Sequence, residues 1–219
     1  MNRKSKWIWS GILFLAAAGA LLVFLWREPI LIRAGHFMAP QIDYSADAVI
    51  LEGSDYISTG FIQAGMDLLS SGKAKKMIVV IHRIAPAHRP FGIGGDYPDI
   101  VSQKLKSMGL KERDFRVIVS PIRQPVTLKE AQFVLPELAR EQIRTAILLA
   151  PAFHTRRSYL CYQFVGEPLR IKIFPRAVFT NYRMEKWWKE EAGIRDFGLE
   201  LQKLVFYLAV RYIPLKFSY

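Results

Sequence analysis

The sequence predicts an α/β protein: a mostly parallel sheet of about five strands with helices on both faces, preceded by an N-terminal transmembrane helix. Three observations carry this. Short apolar runs of strand length, DAVIL at 47–51, MIVVI at 77–81 and AILLA at 146–150, alternate with segments of helical periodicity. Those runs are apolar at successive positions, as in strands covered on both faces. Ahead of them, Trp7–Trp26 is a run of 20 residues without a charge.

The elements follow in order. Residues 1–6, MNRKSK, are short and basic. At about 1.5 Å per residue, Trp7–Trp26 matches a hydrocarbon core of roughly 30 Å. Trp7, Trp9 and Trp26 stand at its ends, where indoles prefer the headgroup layer, and the basic residues before it favour an N-terminus inside and a domain outside. A cleaved signal peptide is the rival, with small residues at Ala16–Ala20. Leu21–Trp26, however, prolongs the apolar run past any cut there, which favours an uncleaved anchor. Residues 27–45, with Pro29 and Pro40, form a connector, and Ile30–Phe37 within it has helical character.

Residues 46–219 form the domain. Asp47–Leu51 is its first strand, Phe61–Ser71 a helix stopped by Gly72, and Met77–Ile81 the second strand. A loop over 82–96 holds His82, Arg83, His88, Arg89 and the glycines Gly92, Gly94 and Gly95. Helix Pro98–Met108, strand Phe115–Val119, helix Thr127–Arg140, strand Ala146–Ala150 and helix Thr155–Val165 follow. Leu169–Phe174 is a fifth strand, and Glu185–Tyr212 one long or broken helix.

Composition narrows the function. Formal net charge is +12. Arg3, Lys4 and Lys6 carry three of those charges and residues 1–26 hold no acid, which leaves +9 on the rest. Such a surface suits phosphate groups or anionic lipid, and the chain has no helix-turn-helix, zinc-finger or aromatic nucleic-acid motif. Cys161 is the single cysteine, so neither an intramolecular disulfide nor a multi-cysteine zinc site can form. His82 and His88 lack a specific metal-ligand spacing, and the sequence leaves any cofactor unknown. The GIGG run at 92–95 lacks the strand–helix context of a dinucleotide fingerprint.

The candidate site lies where strands end. In open α/β sheets ligands bind at the carboxyl edge. There the first strand delivers Glu52, Gly53, Ser54 and Asp55, the second His82, the third the segment up to Thr127 and Glu130, and the fourth His154, Arg156 and Arg157. An acid–base candidate (His154), an orienting carboxylate (Glu130) and an arginine pair at a helix start suit a phosphorylated ligand. Each has a plainer alternative. Thr127–Glu130 has the spacing of a capping box, Glu52 and Asp55 can shape a turn, and Arg156–Arg157 can be a solvated helix start. The aromatics Trp187, Trp188, Phe197, Phe206 and Tyr207 read as packing.

Four stretches together resemble the SanA/YdcF/ElyC family of bacterial envelope proteins, over roughly residues 46–212. They are ADAVILEGS, AGMDLLSSGKAKKMIVV, VTLKEAQ and LLAPAFHTRRS. The third resembles the family's helix start, where a threonine is followed by a Glu-Asn pair. The fourth resembles its strand followed by a His-x-x-Arg turn. The resemblance implies a three-layer α/β/α Rossmann-like domain with Thr127, Glu130, His154 and Arg157 lining a pocket. Glu52-Gly53-Ser54 and Ile81-His82-Arg83 stand where the family has glycine-richer turns, and Ala131 where it has Asn. These departures imply a different ligand or a lost activity.

The expectation is a single-pass protein of the inner membrane, N-terminus cytoplasmic and domain extracytoplasmic. It contacts membrane lipid through the N-terminal helix and binds a phosphorylated small molecule or lipid-linked ligand, with a role in cell-wall or lipid-carrier metabolism. The alternative is a non-catalytic envelope scaffold or binding protein.

Overall fold

The structure, a computed structural model, describes residues 3–54, 58–82 and 97–214. Five strands, β1 (Ala46–Ser54), β2 (Ala74–His82), β3 (Phe115–Ser120), β4 (Thr145–Pro151) and β5 (Lys172–Val178), form one all-parallel sheet in the order β3-β2-β1-β4-β5. From β1 the chain winds outward to β2 and β3, then returns to the other side of β1 for β4 and β5. The β1/β4 boundary is thus the switch point, where such sheets open a crevice at their carboxyl edge.

Side-chain alternation builds a core on each face. Val49, Leu51, Met77, Val79, Ile81, Ile147 and Leu149 meet Phe61, Ile62 and Leu68 of helix α2 (Thr59–Ser70) and Val101 and Leu105 of α3 (Tyr97–Ser107). On the opposite face Ala48, Ile50, Ile78, Val80, Ala146 and Leu148 meet Ala131, Val134, Leu135 and Leu138 of α4 (Val126–Arg140) and Tyr162 of α5 (Thr155–Gly166). Each large aliphatic side chain buried this way contributes roughly 1.5–3 kcal/mol. The α/β class, the parallel sheet and the count of five strands are therefore as expected.

The fifth strand lies further along than Leu169–Phe174. Gly166–Arg170 makes a tight turn, with Ile171 N–H returning to the Gly166 carbonyl and Arg170 at φ 57°, so pairing starts at Lys172. The expected C-terminal helix is broken. A 3₁₀ segment, Met184–Lys189, precedes α6 (Glu191–Ala209), and Glu190 between them is extended.

The N-terminal region departs more. The connector expected at 27–45 is helical through Met38, as part of a 36-residue helix α1 (Arg3–Met38) that carries Pro29 inside it. Leu31, Gly35 and Met38, spaced four and three apart, face the domain, and Trp187 Nε1–H donates to the Leu31 carbonyl at 3.0 Å. Upstream, Trp7, Leu13, Phe14, Leu15 and Phe24 are exposed to 60 % or more. Among the described residues no helix is long and apolar enough to cross a membrane, so the spanning helix expected at Trp7–Trp26 is not found as such.

Candidate functional site

Two residues beyond Ile50, Val80 and Ile118, the α4/α5 face of the sheet changes from apolar to polar. Glu52, His82 and Ser120 occupy the next row on β1, β2 and β3, and all three are buried. Burying such groups costs several kcal/mol unless they are paired. Glu52 is paired: Ser158 Oγ lies 2.6 and 2.7 Å from its two oxygens, and His154 Nε2 lies 2.9 Å from Oε1. His82 Nε2 lies 2.6 Å from Glu130 Oε2. Ser120 Oγ has no partner among the described residues.

Two carboxylate–histidine pairs thus flank Gly53. Glu130 Oε1 accepts from Gly53 N–H (3.1 Å) and from Tyr162 O–H (2.6 Å). Burial, then the charges of Glu130 and Glu52, push the Tyr162 hydroxyl well above its usual pKa, so it stays a donor. Gly53 is required by space. A Cβ there would press on the Glu130 carboxylate and come within 2.8 Å of His82 Nε2.

His154 closes a 3₁₀ turn, Ala152–His154, between β4 and α5. The turn begins at Ala152 with φ 41°, a left-handed conformation that an L side chain resists. It aims the ring back at β1. His154 Nδ1 lies 3.0 Å from Glu200 Oε2, on α6. Arg157 Nε (3.1 Å) and Nη2 (2.9 Å) donate to the same oxygen, and Nη2 also lies 2.7 Å from His154 Nδ1. Arg157 Nη1 donates to Thr127 Oγ1 at 2.8 Å, and its guanidinium lies 4.9 Å from the Tyr207 ring centre.

Electrostatics follow the geometry. Burial alone would lower the His154 pKa, but the Glu52 charge and hydrogen bonds to Glu200 and Glu52 outweigh it and the repulsion of Arg157, pushing it up to about 9. The raised pKa favours the protonated ring, whose two nitrogens face Glu52 and Glu200. Burial works to raise the Glu200 pKa, yet His154, Arg157 and Lys203 hold it well below the carboxylate range. Burial pushes the Cys161 thiol up, leaving it unreactive.

Glu52, His82, Thr127, Glu130, His154 and Arg157 line one cleft of about 700 Å³ at the switch point, with Leu199, Glu200, Lys203, Phe206 and Tyr207 of α6 also in its wall. Of the expected site residues, Glu52, Thr127, Glu130, His154 and Arg157 converge on it. Arg156 does not: its Nε donates to the Phe37 carbonyl of α1 at 2.6 Å, and its guanidinium lies over the Phe37 ring. Ser54 ends β1 opposite Ile81. Asp55, and the loop with Arg83, His88, Arg89 and the glycine cluster, lie outside the described residues.

The capping-box alternative for Thr127 and Glu130 is not realised. α4 begins at Val126 with Pro125 as its N-cap and no side-chain cap, which frees both side chains for the cleft. Sequence reasoning missed Ser158, Tyr162, Lys203 and, above all, Glu200. The packing expected of the aromatics is seen: Trp187 and Phe197 stack at 4.2 Å around Phe153, and Tyr207 is buried with Leu128, Cys161 and Ile213, although Tyr207 and Phe206 also line the cleft. Among the described residues no group of three or more His, Cys, Asp or Glu side chains is placed to hold a metal ion. Comparison with models of known protein families and with curated proteins found no match.

Proposed function

We propose that this cleft binds an anionic, phosphate-bearing ligand and that the chain is an envelope protein of the SanA/YdcF/ElyC type. The carrying observation is the convergence of Arg157, His154 and Lys203 on one point of a cleft at the sheet's switch point, with Glu52 and Thr127 fixing the first two from behind. Arg157 and His154, each anchored by a second partner, with the more exposed Lys203 beside them, are charge-assisted donors that suit phosphate oxygens. In a catalytic role the His154 imidazolium is the general acid, Arg157 the clamp and Glu130 the carboxylate that orients His82. The reactions that fit are those of cell-wall or lipid-carrier intermediates.

The same reading makes Trp7–Trp26 a single-pass signal anchor in the inner membrane, with the N-terminus in the cytoplasm and the domain outside. Its support is the charge-free run with indoles at both ends and the exposure of Trp7, Leu13, Phe14 and Phe24. A reporter fused after Tyr219 tests the orientation: activity of a cytoplasm-only reporter would refute it.

A non-catalytic binding role has its own support. Ser158, which follows Arg157 in α5, is fully buried against Glu52, and the Thr127 hydroxyl is engaged by Arg157. The deciding experiment is a thermal-shift screen of the full chain in detergent with nucleotides, sugar nucleotides and polyprenyl-phosphate analogues. A ligand at 100-fold excess over its Kd adds about 2.7 kcal/mol to stability. A shift lost in Arg157→Ala identifies the cleft, and turnover of the bound compound, lost in His154→Asn, selects the enzyme. No shift across the panel would overturn the reading.

A further inference from the structure

Glu200 is the cleft carboxylate around which the cationic side chains gather. It sits on α6, the last helix, and its two carboxylate oxygens gather four donors from three cations. Oε2 receives Nε and Nη2 of Arg157 and Nδ1 of His154, and Oε1 receives Lys203 Nζ at 2.8 Å. Two oxygens about 2.2 Å apart surrounded by an arginine fork, an imidazolium and an ammonium are the surroundings of a bound phosphate. The cations do not all depend on Glu200 for their positions. Arg157 is held by Thr127 and lies against Tyr207, and His154 is held by Glu52. The Glu200 side chain is 12 % exposed and faces the cleft, so it can turn outward without unpacking the sheet core.

We propose that the Glu200 carboxylate occupies the ligand's phosphate position, so that a phosphate-bearing ligand binds by displacing it onto the same three cations. Glu200 is then a built-in competitor, and Lys203 a third anion-binding residue. With Glu200 displaced, Arg157, His154 and Lys203 face the ligand, while three other carboxylates stay in the lining: Glu52 on His154, Glu130 on Gly53 N–H, Tyr162 O–H and His82, and Asp196 bonded from Tyr182 O–H at 3.2 Å. A dianionic phosphate monoester gains more from three cations than a single carboxylate does, which is how it wins the exchange. The inference rests on the anion-binding reading of the cleft and adds which group must leave.

The test is calorimetric titration of the full chain in detergent with inorganic phosphate and glycerol 3-phosphate, comparing wild type with Glu200→Gln and Glu200→Asp. Removing the competing charge, or pulling it back by one methylene, should tighten phosphate binding about 10-fold. Lys203→Met on the Glu200→Gln background should weaken it again about 3-fold. Without phosphate, Glu200→Gln should melt below wild type, and phosphate should raise its melting temperature more than it raises the wild type's. Micelles doped with phosphatidic acid or with phosphatidylcholine separate the sources: a gain larger on phosphatidic acid than on free phosphate assigns a lipid headgroup, and an equal gain a soluble ester. If wild type binds phosphate through Arg157 but neither Glu200 variant binds more tightly, this inference is wrong and the anion-binding reading stands. If no variant binds phosphate or its ester, both fall.

Discussion

β1 carries a carboxylate near each end, and the two do different work. Near the amino end, Asp47 Oδ2 accepts from Thr145 Oγ1 (2.8 Å), Thr145 N–H (3.1 Å) and Arg144 N–H (3.2 Å), and Oδ1 accepts from Lys75 (3.1 Å). These partners lie at the start of β4, in the turn before it and on β2, so Asp47 ties strand backbones together. At the carboxyl end, Glu52 holds Ser158 and the ring of His154, which faces a cavity. The chemistry of the acceptor is the same. What separates a structural carboxylate from one that builds a site is whether the group it holds is titratable and faces open space.

Replacing each carboxylate should break the comparison most visibly. Glu52→Ala leaves Ser158 and His154 without their shared acceptor in a buried setting, and should cost about 3–5 kcal/mol in chemical denaturation. Asp47→Asn keeps one oxygen for the Thr145 and Arg144 donors but loses the exposed Lys75 bond and the charge assistance, and should cost about 1–2 kcal/mol. Phosphate affinity should be unchanged in Asp47→Asn. Should Asp47→Asn prove the more damaging for ligand binding, the division of labour along β1 would be wrong.

The difference was half legible in the sequence. DAVIL, MIVVI and AILLA announce buried parallel strands, and a parallel sheet puts Glu52, Glu130, His154 and Arg157 at one edge whatever the details. The fork between clamp and non-participant was invisible. Arg156 and Arg157 are adjacent, so a helix of about 100° per residue turns them apart, one toward α1 and the other toward the cleft. Glu200 gave no local signal, because with Lys203 three residues on it reads as an ordinary solvated pair. Only the return of α6 over the switch point, a long-range packing event, brings it to Arg157. The helical character of Ile30–Phe37 was legible, but its continuity with the upstream helix was not, nor its packing face, which depends on Trp187, far along the chain.

The two ends of β1 also predict opposite pH limbs, with a smaller effect than Glu52→Ala. Hydrogen bonds from Thr145 and Lys75 outweigh burial and lower the Asp47 pKa from 3.8 to about 2. Its contribution is therefore complete above about pH 4 and lost as pH falls through 2. His154 moves the other way, from 6.5 to about 9, because its carboxylate neighbours outweigh burial. Its contribution is complete below pH 6.5 and lost as pH rises through 9. Melting temperature should fall from pH 6.5 to pH 9, by the equivalent of about 1–3 kcal/mol. His154→Asn should flatten that limb and leave the acid limb alone, whereas Asp47→Asn should do the reverse. A wild-type profile flat to pH 9 would mean that the ring is neutral in the folded protein.

The smallest effect separates holding a cation in place from supplying charge. Thr127 Oγ1 accepts from Arg157 Nη1 inside the cleft, and Thr127→Val keeps the shape of the side chain while removing the acceptor. Arg157 retains Glu200 and the Tyr207 face, so the fold should lose only about 0.5–1.5 kcal/mol. The consequence should be larger for a ligand than for the fold. With Glu200 displaced, Thr127 Oγ1 still holds the guanidinium by its Nη1, and losing that bond lets the fork swing within the cleft. Phosphate affinity of Thr127→Val should drop further on the Glu200→Gln background than in wild type, because before ligand binds Glu200 still holds the arginine in place in wild type, whereas the double variant must order it on binding. Equal losses on the two backgrounds would show that Arg157 is positioned by the α5 backbone alone and that Thr127 is a bystander.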